Sequence, residues 1–236
     1  MPPAEVAKLP EPVPKVEPRA RYGNNPSYEV LGKTYHVLAS ADGYDERGIA
    51  SWYGDKFHGY MTSMLEPYDM YKFTAAHKTL PLPSYAEVTN LANGESVIVR
   101  INDRGPFVPN RIIDLSYAAA VRIGIWPAGT GLVEVRAIDP ALPQREPPPI
   151  RQVRSGKSPE IFLQVGSYSD ARNARRVADA ARRAGIRDVS IVSASVGGRT
   201  VHRVRVGPLP DAASADAMSP RLAQLGFGAP RVAIER

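Results

Sequence analysis

One proline-rich segment limits the possible folds of this chain more than any other feature. Residues 140–157 read PALPQREPPPIRQVRSGK, with five prolines and no apolar periodicity. Proline fixes φ and removes a backbone donor, so such a stretch is typical of a linker between packed units. The 236 residues are enough for two ordinary domains. We therefore predict two domains, residues 21–139 and residues 158–236, separated by this linker.

The first twenty residues and the remaining composition narrow the choice further. Residues 1–20 contain six of the 23 prolines and alternating charges, which predicts a disordered tether. No run of eighteen apolar residues is present, so no membrane-spanning helix is predicted. The opening MPPAEVAKLP lacks the apolar stretch of a signal peptide, so we expect no export signal in it. Because cysteine is absent, disulfides, thiolate zinc sites and cysteine nucleophiles are excluded.

The first domain is predicted to consist mainly of strands. Residues 86–103 read AEVTNLANGESVIVRIND, two β-rich runs joined by an Asn-Gly turn, which is typical of a hairpin. Strand side chains alternate between faces, so the apolar residues of the second run share one face, and the same period places Asp103 on it. One short helix is predicted over residues 115–124, with Ser116 as its N-cap and Gly124 as its stop.

Three carboxylates of this domain have apolar or aromatic neighbours in the sequence: Glu66, Asp103 and Asp114. Such surroundings disfavour the charged form of a carboxyl and raise its pKa toward the range of a general acid. Breaking a glycosidic bond requires such an acid, often with a second carboxylate. Simpler interpretations stay open, because Asp103 could start a turn and pair with Arg104. Likewise, Asp114 could only support the helix start, and Glu66 could be an ordinary loop carboxylate.

Other reactive groups are scarce in the first domain. The histidines lack the spacing of a zinc-binding helix, so no metal is predicted. Neither a glycine-rich phosphate loop nor a serine-hydrolase elbow is present, so no cofactor and no serine nucleophile are predicted. His77 could contact a substrate or merely satisfy a hydrogen bond. Tyr53 belongs to a group of aromatic residues that could stack on sugars, although such rings are more often core residues.

The second domain alternates strands and helices in the order β-α-β-β-α-β. This order predicts an α/β fold with a four-stranded antiparallel sheet and two helices. Residues 158–236 hold twelve arginines, no lysine and seven acids, so they carry most of the net charge of +6. That charge favours an anionic or polymeric partner. RNA is one alternative, but the run VHRVRVGPL lacks the aromatic pattern of an RNA-binding strand, so no nucleic acid partner is predicted.

Three stretches of the first domain closely resemble the double-psi β-barrel of the rare lipoprotein A family. They read GIASWYGDKFHG, TAAHKTLPLPSYAEVTNLANGESVIVRINDRGPF and RIIDLSYAAAVRIGI. In the second domain, FLQVGSYSDARNARRVADAARRAG is similar to a SPOR domain, the usual C-terminal partner in that family. The resemblance covers about residues 30–139 and 158–236. It implies a mainly β chain with an α/β part, a double-psi β-barrel followed by a SPOR domain.

An activity and a location are also implied by the resemblance. It implies a lytic transglycosylase that cleaves peptidoglycan glycan strands lacking stem peptides and leaves 1,6-anhydro-N-acetylmuramic acid ends. The SPOR domain would bind the same denuded glycan and concentrate the protein at the division septum, where divisome proteins could be partners. A lipid anchor would hold the protein at the periplasmic face of the outer membrane. The cysteine for that anchor is absent, and we expect this chain to start after it.

Residue roles can be carried over by position in these motifs. The family's catalytic glutamate falls on Glu66 and its catalytic aspartate on Asp103, and Asp114 matches an aspartate of the related expansins. The candidate substrate-binding residues are Tyr53, His77, Arg104, Asp114, Gln164, Ser167 and Tyr168. For Tyr168, a place in the core is the alternative.

One departure from the family pattern concerns Met64 and Leu65, which stand where a small polar residue and a glycine usually precede the glutamate. Glycine there would supply a positive φ or a close backbone approach, which leucine resists. The departure favours a second function, a non-catalytic peptidoglycan-binding or expansin-like wall-loosening protein. A soluble anhydro-sugar product would distinguish the two functions, since binding alone cannot form one.

Overall fold

The structure, a computed structural model, describes residues 1–6, 8–142 and 159–235. The chain divides into two compact units, Met1–Gly156 and Lys157–Arg236. Most of the predicted linker, residues 143–157, lies outside the described residues. Within the described part, every helix is too short or too polar to span a bilayer.

The first unit contains a closed six-stranded barrel. Ahead of it come a short helix and a hairpin, α1 (Pro3–Val6), β1 (Ser27–Val30) and β2 (Lys33–His36). The barrel strands are β3 (Asp45–Tyr53), β4 (Thr74–His77), β5 (Ser84–Asn90), β6 (Ser96–Asp103), β7 (Arg111–Ser116) and β8 (Thr130–Ile138). Their order around the barrel is β3-β7-β4-β6-β5-β8, with β3–β7 and β4–β6 parallel and the other neighbours antiparallel. This closed barrel confirms the predicted fold class.

Apolar strand residues fill the barrel. The β5–β6 hairpin forms as predicted, and Gly94 in its turn has a φ of 80°. Along β6, Val97, Val99 and Ile101 are at most 1% exposed. Burying one such side chain contributes roughly 1.5–3 kcal/mol. A shift of register by one residue would expose the whole row, so this row holds β6 in register.

A short helix, α2 (Tyr117–Arg122), follows β7 as predicted. The Ser116 hydroxyl accepts a hydrogen bond from the Ala119 N–H at 3.2 Å, which caps the helix start. Gly124 has a φ of 70°, the left-handed conformation that ends many helices. Both predicted ends of the helix are therefore confirmed to within two residues.

The alternation of β6 breaks near its end. Ala75 of β4 pairs with Ile101, whereas Ala76 pairs with Asp103, so Asn102 is an extra residue in β6. A bulge of this kind interrupts the alternation and re-aims the side chains that follow it. Asn102 is only 4% exposed, while Asp103 is partly exposed. Asp103 follows the apolar row but is less buried than its members.

Residues 1–6 and 8–20 also differ from the disordered tether that the composition of residues 1–20 predicts. Val6 is completely buried and belongs to the core of the barrel unit. Glu11 pairs with Arg122 at 2.5 Å, and Glu17 pairs with Arg100 at 2.9 Å. An extended proline-rich chain needs no internal hydrogen bonds, so it can lie along the barrel while its carboxylates find arginine partners there.

The second unit has the predicted β-α-β-β-α-β order. Its elements are β9 (Glu160–Tyr168), α3 (Ala171–Arg183), β10 (Val189–Val196), β11 (Arg199–Leu209), α4 (Ala212–Leu222) and β12 (Arg231–Glu235), with a π-helical turn at Ala223–Phe227. The sheet is antiparallel throughout, in the order β10-β11-β9-β12. Asp170 and Asp211 cap the two helices by accepting backbone N–H bonds at 2.7 Å.

Candidate active site

Four barrel strands line one cleft of about 260 Å³. Tyr53 comes from the end of β3, Ala76 from β4, Asp103 from the end of β6 and Asp114 from β7. Further rings and apolar side chains in its wall include Phe57, Tyr60, Met61, Tyr68 and Phe107. Mostly apolar walls with a few convergent polar groups are typical of ligand sites. Two of the three candidate carboxylates therefore share one cleft.

Asp103 is held by three hydrogen bonds, all on one carboxylate oxygen. Its Oδ1 accepts from the N–H and the hydroxyl of Ser63, at 2.8 and 2.7 Å, and from the Arg104 N–H at 2.8 Å. Among the described residues, Oδ2 accepts no hydrogen bond. The bound oxygen fixes the orientation of the carboxylate, so Oδ2 stays available to a molecule in the cleft.

Asp114 lies deeper in the same cleft. Burial, more than any other cause, raises the pKa of its carboxyl from 3.8 to about 6, and the nearby charge of Asp103 adds to the rise. A hydrogen bond from Ser51 and the charge of Arg111 act in the opposite direction. The Oδ1 atom is buried and has no hydrogen-bond partner. Asp114 thus meets the expectation of a carboxyl adapted to hold a proton near neutral pH.

Two stacked tyrosines line the cleft. The rings of Tyr53 and Tyr68 lie 4.2 Å apart, and the Tyr68 hydroxyl donates to the Tyr53 carbonyl oxygen at 2.6 Å. Burial raises the pKa of both phenols, so both stay neutral and able to donate. The Tyr53 hydroxyl is itself buried without a hydrogen bond of good geometry. The predicted residue Tyr53 therefore lies beside both aspartates.

Glu66 has different surroundings from those its sequence neighbours predict. Its two oxygens accept hydrogen bonds from Arg100, at 2.7 and 3.1 Å, and Asn102 donates to it at 3.4 Å. The bond to Arg100 lowers the pKa of Glu66, although partial burial opposes the effect. The expectation that its pKa would be raised is therefore wrong. Glu66 is also not among the described residues that line the cleft.

A tight turn connects Glu66 with the cleft all the same. The Leu65 N–H donates to the Thr62 carbonyl oxygen at 2.9 Å. The Thr62 N–H in turn donates to the Glu66 carbonyl oxygen at 2.8 Å. The same turn contains Ser63, which binds Asp103. Leu65 has a φ of 62°, so leucine adopts the positive φ that a glycine would supply here. The turn that presents Glu66 is therefore formed, at a cost of about 1–2 kcal/mol for the left-handed leucine.

His77 is buried, and both of its ring nitrogens have hydrogen-bond partners within the barrel unit. Its Nδ1 accepts from the backbone N–H groups of Thr79 and Leu80, at 3.2 and 2.9 Å, and its Nε2 lies 2.8 Å from the Tyr44 hydroxyl. Since Nδ1 accepts, Nε2 carries the proton of the neutral ring. Burial lowers the pKa of His77 to about 3, and the side chain is 3% exposed. The alternative that His77 merely satisfies hydrogen bonds fits the structure.

Arg104 serves mainly to join segments of the barrel unit. Its Nε donates to the Gly23 carbonyl oxygen at 2.8 Å, and its Nη1 donates to those of His77 and Leu80 at 3.0 and 2.6 Å. Burial lowers the pKa of Arg104 to about 10. Only its backbone N–H binds Asp103, so the predicted pairing of the two side chains does not form. Arg104 nevertheless lines the cleft.

The candidate residues of the second unit lie on β9. Gln164 and Tyr168 are partly buried and Ser167 is exposed, so Tyr168 is not a fully buried core residue. The Tyr168 ring covers Gly166, where an added Cβ would come within 2.5 Å of the tyrosine hydroxyl. Gln164 pairs in register with Arg205 of β11. These residues belong to the second unit, whereas the cleft is described within the first.

Two residues at the site were not predicted from the sequence. Ser63 supplies two of the three bonds to Asp103, and Arg100 holds both oxygens of Glu66. An arginine within an otherwise apolar strand is a signal for a carboxylate partner, so Arg100 could have been found. Ser63 carries no such signal, because only the fold brings it next to Asp103.

Comparisons with known proteins agree with this architecture. The family model described as lytic transglycolase matches residues 45–136, and the one described as SPOR domain matches residues 157–231. The endolytic peptidoglycan transglycosylase RlpA of Vibrio cholerae is 43% identical over 209 residues, which are 89% of this chain and 76% of that protein. The protein of the same name from Pseudomonas aeruginosa is 54% identical over 136 residues, 58% of this chain and 39% of its own length.

Among solved structures, the RlpA SPOR domain from Pseudomonas aeruginosa is similar to part of this chain. It is 25% identical, covers 31% of this chain and 96% of its own, and has a TM-score of 0.28. The two domain matches and the extent of the Vibrio cholerae alignment decide the classification. The chain belongs to the rare lipoprotein A (RlpA) family.

Proposed function

We propose that this chain is an endolytic lytic transglycosylase that cleaves peptidoglycan glycan strands. The observation that carries the proposal is the placement of Asp103 and Asp114 in one aromatic cleft, one fixed by hydrogen bonds and the other with a pKa near 6. Relatives that carry this name are 43% identical over 209 residues and 54% identical over 136 residues of the chain. Two carboxyls in different surroundings can give and take a proton in the same reaction.

In the proposed reaction, Asp114 is the acid and Asp103 is the base. Protonated Asp114 gives its proton to the glycosidic oxygen as the bond between that oxygen and C1 of N-acetylmuramic acid breaks. The C6 hydroxyl oxygen of the same sugar bonds to C1, and its proton passes to Oδ2 of Asp103. The products are a free hydroxyl on one sugar and a 1,6-anhydro ring on the other, so no water is consumed. Holding the C6 hydroxyl close to C1 contributes part of the rate enhancement.

Glu66 has a positioning role in this proposal. Its pair with Arg100 anchors one end of the Thr62–Glu66 turn to β6. Ser63 within that turn then donates two hydrogen bonds to Asp103. Loss of the Glu66 charge would loosen the turn and, through Ser63, the orientation of Asp103.

We propose denuded glycan as the substrate and the wall at the division septum as the location. A SPOR domain model matches residues 157–231, and glycan binding by this unit through Gln164, Ser167 and Tyr168 would bring the barrel to its substrate. A periplasmic location with a lipid anchor in the outer membrane, and divisome proteins as partners, complete the proposal.

Mass spectrometry of soluble products from amidase-treated sacculi tests the activity. The unmodified chain is expected to release fragments with 1,6-anhydro ends, and Asp103→Asn and Asp114→Asn are expected to release none above background. Asp42→Asn is the matched control, since Asp42 is exposed and outside the cleft. Sacculus binding without any anhydro product from the unmodified chain would instead support the non-catalytic wall-binding function.

A further inference from the structure

A second cavity adjoins the cleft in the barrel unit. Its volume is about 290 Å³, and Arg104 and Phe107 line both cavities. Tyr28 and Val30 of β1 line the second cavity. Each cavity is close to the lower limit of ligand sites, about 300 Å³. Because Arg104 and Phe107 line both, the two cavities lie side by side, and they are called the groove below.

Aromatic rings give this second cavity a fixed shape. The ring of Phe107 lies 6.3 Å from that of Tyr28 and 5.6 Å from that of Tyr35. Tyr28 and Tyr35 stack at 5.3 Å, and the Tyr28 hydroxyl donates to the Lys78 carbonyl oxygen at 2.8 Å. The hairpin β1–β2 is thereby attached to the barrel, and its rings stay in place when the groove is empty.

The second cavity is also joined to the catalytic carboxylate. Ser63 lines this cavity, and its N–H and hydroxyl both bind Asp103 Oδ1. The guanidinium of Arg104 is engaged by three carbonyl oxygens, so the wall offers mainly aromatic and neutral surface. Such a wall suits the apolar face of a sugar ring better than it suits an anion.

We propose that the hairpin β1–β2 completes a second sugar subsite, which holds one N-acetylhexosamine unit of the strand next to the sugars in the cleft. This inference rests on the proposed function for the identity of the ligand. A polymer that is cut internally must continue beyond the cleft, and the groove provides the continuation. The lytic transglycolase match begins at residue 45, so the hairpin lies outside it.

Methyl NMR on the whole chain tests the subsite without requiring turnover. Val30 lines the second cavity and Ala76 lines the cleft, so their methyl signals report the two places separately. Addition of soluble denuded glycan strands is expected to shift both signals. A shift of Ala76 without a shift of Val30 would overturn the subsite, and so would the absence of both shifts. If both shift but no anhydro product forms, the subsite stands and the proposed activity fails.

Kinetics supply a second, independent measurement. Val30→Trp fills the cavity and is expected to raise KM for long denuded strands about tenfold while kcat changes less than twofold. Glu29→Trp is the matched control, because Glu29 is exposed on the neighbouring position of β1, and its KM is expected to equal that of the unmodified chain. An active Val30→Trp chain with unchanged KM would overturn the subsite and leave the proposed activity intact.

Discussion

Two groups of carboxylates in the barrel unit have opposite surroundings. Asp103 and Asp114 share the aromatic cleft, where burial raises the pKa of Asp114 to about 6. Glu17 and Glu66 both pair with Arg100, which lowers the pKa of each. Burial disfavours the charge in both groups, so the difference comes from the partner. Of these two groups of carboxylates, the one in the cleft contains a carboxyl that keeps its proton near neutral pH, so the cleft is where acid catalysis is expected.

Hydrogen-bond partners distinguish the carboxylate proposed to be catalytic from the one proposed to have a positioning role. Asp114 has a buried oxygen without a hydrogen-bond partner, whereas both oxygens of Glu66 are bound by Arg100. A carboxylate that is paired with an arginine is a poor proton donor and acceptor, because the arginine disfavours its protonated form. It can still hold a neighbouring turn in place.

The largest expected effect is the loss of rate on substitution in the cleft. Asp114→Asn is expected to lower the rate of anhydro-product release at least about 100-fold, since general acid catalysis commonly contributes that much or more. Glu66→Gln removes a charge but keeps the shape, so a loss of about tenfold is expected from a loosened turn. Initial rates on denuded strands at pH 6 provide the measurement. A Glu66→Gln chain as inactive as Asp114→Asn would place Glu66 in the chemistry itself.

The next effect concerns the pH dependence of the rate. Asp114 must be protonated to act, and its pKa is about 6. Between pH 7 and pH 6 the protonated fraction of such a group rises about fivefold, so kcat is expected to rise by a similar factor. Glu66→Gln should keep this profile at a lower rate. A rate that stays constant from pH 8 to pH 6 would contradict the assignment of Asp114 as the acid.

The same pKa predicts how the stability of the barrel unit varies with pH. In the folded state the pKa of Asp114 is raised from 3.8 to about 6, so its proton stabilises folding at low pH and that stability is lost as pH rises through this range. Asp114→Asn is therefore expected to raise the free energy of unfolding by about 3 kcal/mol at pH 8, but only by about 1 kcal/mol near pH 4.5. Both tryptophans, Trp52 and Trp126, lie in the first unit, so urea titrations followed by their fluorescence report on that unit. If Asp114→Asn raised the free energy of unfolding equally at both pH values, the gain would come from packing and not from the removed charge.

Much of the fold could be predicted from local patterns. The Asn-Gly turn and the apolar row of β6 specified the hairpin, and Ser116 and Gly124 marked the ends of α2. These signals are local, since each depends on residues a few positions apart. The attachment of the first twenty residues could not be predicted in this way, because Glu17 and Arg100 lie 83 positions apart.

The site was predicted less completely than the fold. Sequence neighbours suggested the same raised pKa for Glu66 and Asp114, but the partners that decide the pKa come from distant strands and turns. The bulge at Asn102 could not be predicted from sequence neighbours either, because it arises from the pairing of β4 with β6. Asp103 and Asp114 were nevertheless found, since each has apolar or aromatic sequence neighbours and stands in a motif that resembles the family, and the structure places both in the cleft.

The smallest expected effect tests the turn that links the two carboxylate groups. Leu65 has a φ of 62° and is 54% exposed, so its side chain contributes little burial while its backbone is strained. Leu65→Gly is expected to raise the free energy of unfolding by up to about 1 kcal/mol, because relief of the left-handed strain exceeds the extra entropy of glycine in the unfolded chain. Urea titration by tryptophan fluorescence measures this gain. Leu142→Gly, at an exposed position with ordinary φ, is the control and should lower the stability slightly. If Leu65→Gly instead destabilises the barrel unit and lowers the rate together, then the Leu65 side chain itself supports the turn, and with it the bonds from Ser63 to Asp103.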